Sequence, residues 1–83
     1  MKPNPPSREV YVADIPLETT EEDLRKLFSI SGKVHAINML TDSHGDFYGR
    51  AFIRFSTPAE ARDAINTLDG ARLGKRCIRV SVP

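Results

Sequence analysis

Residues 48–55, YGRAFIRF, carry the side chains most able to do chemistry in this chain. Along an extended backbone, side chains alternate between two faces, so Tyr48, Arg50, Phe52 and Arg54 share one face while Gly49, Ala51, Ile53 and Phe55 share the other. The second set is small and apolar and suits a core. The first interleaves rings with guanidinium groups, and a strand that turns such a row toward water leaves it without a packing partner. Single strands of nucleic acid match it: bases stack on aromatic rings, and phosphates attract arginine.

The elements that must position this row follow from periodicity. Residues 9–15, EVYVADI, predict a strand with Val10, Val12 and Ile15 toward a core, Glu9, Tyr11 and Ala13 away from it, and an end before Pro16. TTEEDLRKLFSISG then predicts an amphipathic helix. Thr19 or Thr20 is its N-cap, acids fill its first turn, Leu24, Leu27 and Phe28 form its apolar stripe, and Gly32 stops it. Glu21 with Arg25 and Glu22 with Lys26 add i,i+4 pairs worth roughly 0.2–0.5 kcal/mol each. Residues 34–41 predict a second strand, with Ile37 and Met39 on one face and Ala36, Asn38 and Leu40 on the other. The polar residues 42–46 turn it into the third strand as a hairpin, with Phe47 in the loop as either a hinge packer or a base contact.

Thr57, Pro58 and Glu60 form a capping box with proline at the first helical position, and Ala61, Ala64, Ile65 and Leu68 supply the apolar face of a second helix that stops near Gly70. Gly74 marks a turn. CIRVSV, residues 77–82, predicts the fourth strand, with Ile78, Val80 and Val82 inward and Cys77, Arg79 and Ser81 outward.

This order is α+β, the ferredoxin-like βαββαβ arrangement: a four-stranded antiparallel sheet with two helices packed on one face and strands one and three in the middle. The other face is left open, which an antiparallel sheet tolerates when that face is polar or holds a ligand. Tyr11 and Phe52 fall on neighbouring central strands, flanked by Arg50, Arg54, Asn38, Arg79 and Ser81, with Tyr48 at the start of the third strand. These eight are the candidate binding residues. A plainer reading stands beside this one: Tyr11 and Phe52 as a cross-strand pair worth roughly 0.2–1 kcal/mol of sheet stability, and Arg54 and Arg79 as surface arginines paired with Glu9.

YGRAFIRF resembles the octamer of the RNA recognition motif family, basic–Gly–aromatic–Gly/Ala–aromatic–aliphatic–x–aromatic, at Gly49, Ala51, Phe52, Ile53 and Phe55. VYVADI, residues 10–15, resembles its hexamer, with Tyr11 in the aromatic position. The resemblance covers roughly residues 8–82 and implies that Tyr11 and Phe52 stack on bases or sugar. Three positions depart from the family pattern: Tyr48 opens the octamer in place of a basic residue, Arg50 replaces its first central aromatic, and Asp14 replaces the hexamer's usual asparagine. Arginine stacks through its guanidinium plane and also binds phosphate, so Arg50 serves in another way, while Tyr48 supplies a ring at the strand's start. Asp42 and Asp46 in the hairpin loop lower the expected affinity for phosphate, to on the order of micromolar, about −8 kcal/mol.

Composition bounds the rest. The 83 residues suit one small domain, expected at 8–83 behind a flexible proline-rich tail at 1–7. No apolar run approaches the roughly 18 residues of a membrane span, and MKPNPPS lacks the apolar segment of a secretory signal, so the expected setting is intracellular: cytoplasmic, or nuclear if eukaryotic. A single cysteine, Cys77, with His35 and His44 far apart, builds neither a disulfide framework nor a zinc site, and no cofactor is expected. The net charge of +1 argues against strong non-specific duplex binding, and its distribution sets acids on the helices against arginines in or beside the strands. Three function classes follow. The favoured one is a non-catalytic monomer binding short single-stranded RNA; the second is a protein-interaction module of the same fold; an enzyme is disfavoured, because no nucleophile constellation or phosphate-cradling glycine loop is present.

Overall fold

The computed structural model describes residues 7–83. Its elements run β1 (Glu9–Ala13), α1 (Glu21–Phe28), β2 (Val34–Thr41), β3 (Phe47–Phe55), α2 (Pro58–Leu68), β4 (Arg72–Leu73), β5 (Arg76–Cys77) and β6 (Arg79–Ser81). The expected tail at 1–7 lies, but for Ser7, outside the described residues. β2, β3, β1 and β6 form one antiparallel sheet in that order, with β1 and β3 central as expected, and β4 and β5 form a separate two-stranded ribbon.

Alternation sorts the strands. Val10, Val12, Ala51, Ile53, Phe55 and Val80 are buried on one face of the sheet, against Leu24 and Phe28 of α1 and Ala61, Ala64 and Leu68 of α2. Phe28 and Phe55 meet at the centre of this core with ring centroids 6.4 Å apart. Among the described residues no helix is long and apolar enough to cross a membrane.

Both helices begin with the capping boxes their sequences encode. Thr20, not Thr19, caps α1: its hydroxyl accepts the Asp23 N–H at 3.1 Å, and the Asp23 carboxylate accepts the Thr20 N–H at 3.0 Å. Thr57 and Glu60 do the same for α2. The expected ion pairs Glu21–Arg25 and Glu22–Lys26 are both present at 3.6 Å.

Besides β1, which ends at Ala13 where a strand over 9–15 was expected, three boundaries differ from expectation. First, α1 ends at Phe28, short of the stop assigned to Gly32, because the next bonds tighten to i→i−3 turns, Ile30 N–H to Leu27 O at 3.4 Å and Ser31 N–H to Phe28 O at 3.1 Å. Gly32 serves a different purpose. A Cβ there would stand 2.5 Å from Glu60 Cβ, so only glycine lets Glu60 reach across. The Glu60 carboxylate accepts the Lys33 N–H at 3.2 Å, the Thr57 N–H at 3.0 Å and the Ser56 hydroxyl, clipping the start of α2 to the turn before β2.

Second, the fourth strand is shorter than residues 77–82. Ile78 bonds to the segment after α2, through Gly70 N–H to Ile78 O at 2.8 Å and Ile78 N–H to Ala71 O at 2.9 Å, while Cys77 pairs with Arg72 in the ribbon. Only residues 79–81 remain for the main sheet. Ile78 and Val80 are buried as expected, but Val82 is 70% exposed, because pairing with β1 ends at Ser81. Third, Phe47 belongs to β3 rather than to the loop and packs, partly buried, against the core edge.

Candidate functional site

The open face is ordered by register. Asn38 pairs with Phe52, Phe52 with Tyr11, and Tyr11 with Ser81, so these four residues form one straight row across all four strands. Both helices pack on the other side of the sheet, and the two rings stand half-buried, with centroids 5.4 Å apart and planes tilted by 49°. A tilted pair at this distance is stable by itself and still offers ring surface to a third π-system.

The flanking groups divide. On one side of the row Arg54 pairs with Glu9 and with Ala36 in register, is exposed, and makes no ion pair with Glu9 among the described residues. On the other side Tyr48 and Arg50 meet each other, with the guanidinium carbon 5.7 Å from the ring centroid, within cation–π range. This contact holds two long side chains together at the start of β3. Gly49, between them, is at φ +86°, and a Cβ there would lie 2.9 Å from the Ile15 carbonyl oxygen. The glycine permits Ile15 N–H to bond Gly49 O at 3.0 Å, so β1 closes against β3 where the octamer begins. Asp14, at φ +60°, breaks the alternation there and turns Ile15 inward after Val10 and Val12.

Arg79 pairs with Ala13 across β1 and β6, but Glu9 is not its partner. Its Nε lies 3.3 Å from Asp69 Oδ1, and the same oxygen accepts the Val80 N–H at 2.9 Å. Asp69 thus covers the outer edge of β6 and orients Arg79 at once. Sequence periodicity gives no sign of this contact, because Asp69 lies in the irregular segment after α2.

The charges are arranged as the sequence implies. Acids fill the first turn of α1, where they favour the helix dipole, while Arg50, Arg54 and Arg79 are carried by the sheet. The Val80 backbone N–H, then Arg79, holds the Asp69 carboxyl below the usual carboxylate range. The Thr20 backbone N–H does the same for Asp23, and the Ser56 hydroxyl for Glu60. His35, His44 and Cys77 are all exposed, and among the described residues no cluster of three metal-ligating side chains occurs. What the open face can do is stack planar groups on Tyr11 and Phe52, offer an amide and a hydroxyl at the ends of the row, and attract anions with arginines.

Comparison with known proteins gives consistent results. A family model described as the RNA recognition motif matches residues 10–79. The 28 kDa chloroplastic ribonucleoprotein of Spinacia oleracea is 38% identical over 78 residues, covering 93% of this chain and 34% of the relative. The mRNA 3'-end-processing protein RNA15 of Saccharomyces cerevisiae is 39% identical over 77 residues, covering 92% of this chain and 26% of the relative. This chain therefore spans about a third or less of the length of these relatives. Among solved structures, the RNA15 RRM has a TM-score of 0.87 at 35% identity over 95% of this chain and 92% of that one. The Rna15 RRM with bound RNA (GU) has a TM-score of 0.84 at 35% identity over 94% of this chain and 84% of that one.

Proposed function

This chain belongs to the RNA recognition motif family, and from that premise we propose that it is a non-catalytic module binding a single-stranded RNA of about two to four nucleotides across its open sheet face. The observation that carries the reading is the Asn38–Phe52–Tyr11–Ser81 row, with two half-buried rings at its centre on the face away from the helices. Tyr11 and Phe52 stack on successive bases. Asn38 and Ser81 hydrogen-bond base edges, Arg54 draws phosphate, and the Tyr48–Arg50 pair supplies a second planar surface at the start of β3. Arg79, oriented by Asp69, reaches phosphate or a base carbonyl at the edge of β6. A similar fold with RNA bound adds support. The module works as a monomer and meets its RNA inside the cell.

Fluorescence anisotropy with a labelled, randomised RNA pool tests this. Through three arginines, log affinity should fall against log salt with a slope near −2, as each phosphate contact on a single strand contributes about −0.7. A flat response together with capture of a peptide ligand would support the protein-interaction module instead.

A further inference from the structure

A groove lies round the end of the sheet from Tyr48 and Arg50, and the RNA reading does not use it. Its walls are Pro16, Leu17 and Glu18 from the β1–α1 turn and Lys75 and Arg76 from the β4–β5 ribbon, and it is open to solvent. The turn and the ribbon tip lie close together: a Cβ on Gly74 would stand 3.6 Å from Pro16 Cγ. Leu17 is 66% exposed, and its Cδ2 would lie 3.8 Å from a Cβ on Gly49. Leu17 therefore lies beside the start of β3, at the end of the sheet where Tyr48 and Arg50 stand on the open face.

The cations run on in the same direction. Arg79 starts β6 at this end of the sheet, and the chain just before it carries Arg76 and Lys75 to the ribbon tip. Neither Lys75 nor Arg76 has an ion-pair partner among the described residues, and both are exposed. Glu18 is the one acid on the groove, so two cations leave it net positive. An aliphatic floor beneath two unpaired cations suits a ribose with its phosphates rather than an acceptor-poor apolar peptide.

We propose that this groove is a second RNA subsite, in which Lys75 and Arg76 hold the phosphates and Leu17 packs on the ribose of nucleotides that run off the sheet past Arg50 and Arg79. The proposal rests on RNA occupying the open face and extends its path. The subsite adds affinity only for strands too long to end on the sheet.

The test compares labelled randomised pools of RNA tetramers and octamers on the wild type, on the double variant Lys75→Ser/Arg76→Ser, and on a control double variant, Lys33→Ser/Arg62→Ser, that removes the same charge elsewhere. Amide-shift dispersion establishes that each variant is folded. For the double variant, octamer affinity should fall about fivefold or more at low salt, with a salt slope shallower by about 1.4 from two lost phosphate contacts. Tetramer affinity should stay within about twofold, and the control should leave both lengths near wild type. Equal losses on tetramer and octamer, an unchanged octamer, or the same loss in the control each overturn the subsite while leaving the sheet reading standing. Failure of both pools to bind the wild type overturns the sheet reading and the subsite with it.

Discussion

On the covered face of the sheet Phe55 is fully buried and its ring lies 6.4 Å from that of Phe28, whereas on the open face Phe52 is half-buried with its ring 5.4 Å from that of Tyr11. The two phenylalanines are neighbours on one strand, and both belong to an aromatic pair. What separates them is the surroundings. Phe55 is enclosed by α1, α2 and the sheet, so its burial contributes to folding; Phe52 lies against Tyr11 and is half-buried, so part of its apolar surface remains available to a ligand. The same residue type thus acts on stability on one side of the pleat and on binding on the other.

The largest effect that can break this comparison is on the covered side. Phe55→Ala removes a fully enclosed ring and should cost about 3–5 kcal/mol of stability by urea denaturation. A loss below about 1 kcal/mol would mean that Phe55 is not central to the core. On the open side, Phe52→Ala should cost about 1–3 kcal/mol of RNA affinity by titration calorimetry, with the urea midpoint nearly unchanged. Were affinity to hold and the midpoint to drop, Phe52 would be a sheet-stabilising residue only, as the plainer reading of the Tyr11–Phe52 pair has it.

The smallest effect sharpens the comparison through pH. Asp23 and Glu60 belong to the helix caps, and their folded-state pKa values lie below the ordinary ones. The unfolded chain therefore takes up these protons first as pH falls. The stability they contribute is complete above the ordinary carboxylate range and is lost as pH drops through the lower folded values. Thermal midpoints should decline on acidification below about pH 4.5, and Glu60→Gln should flatten part of that decline. An acid limb of unchanged steepness in Glu60→Gln would show that the clip from α2 to Lys33 carries no proton-linked stability.

Much of this was legible from residue order because it depends on local periodicity. The inward row Gly49, Ala51, Ile53 and Phe55 and the outward row Tyr48, Arg50, Phe52 and Arg54 follow from the pleat alone, and the capping boxes at Thr20 and Thr57 depend on residues three apart. The errors share a cause. Gly32 reads as a helix stop by local rules, yet its role is to make room for Glu60, which is distant in sequence. Val82 continues the alternation of CIRVSV but lies past the last rung that β1 offers. Leu17, Lys75 and Arg76 lie in two separate turns, and no pattern in either turn points to the other.

Taken alone, the order of residues determined which side chains share a face and where both helices start, since each depends on contacts within a few residues, and with crossover handedness these dictate the βαββαβ sheet. Only the tertiary structure decided how rows align across strands, that Asp69 claims Arg79, and that the β1–α1 turn meets the ribbon tip. Those contacts join residues far apart in the chain. Their geometry is set by how the sheet twists and the helices pack, which no short window of sequence contains.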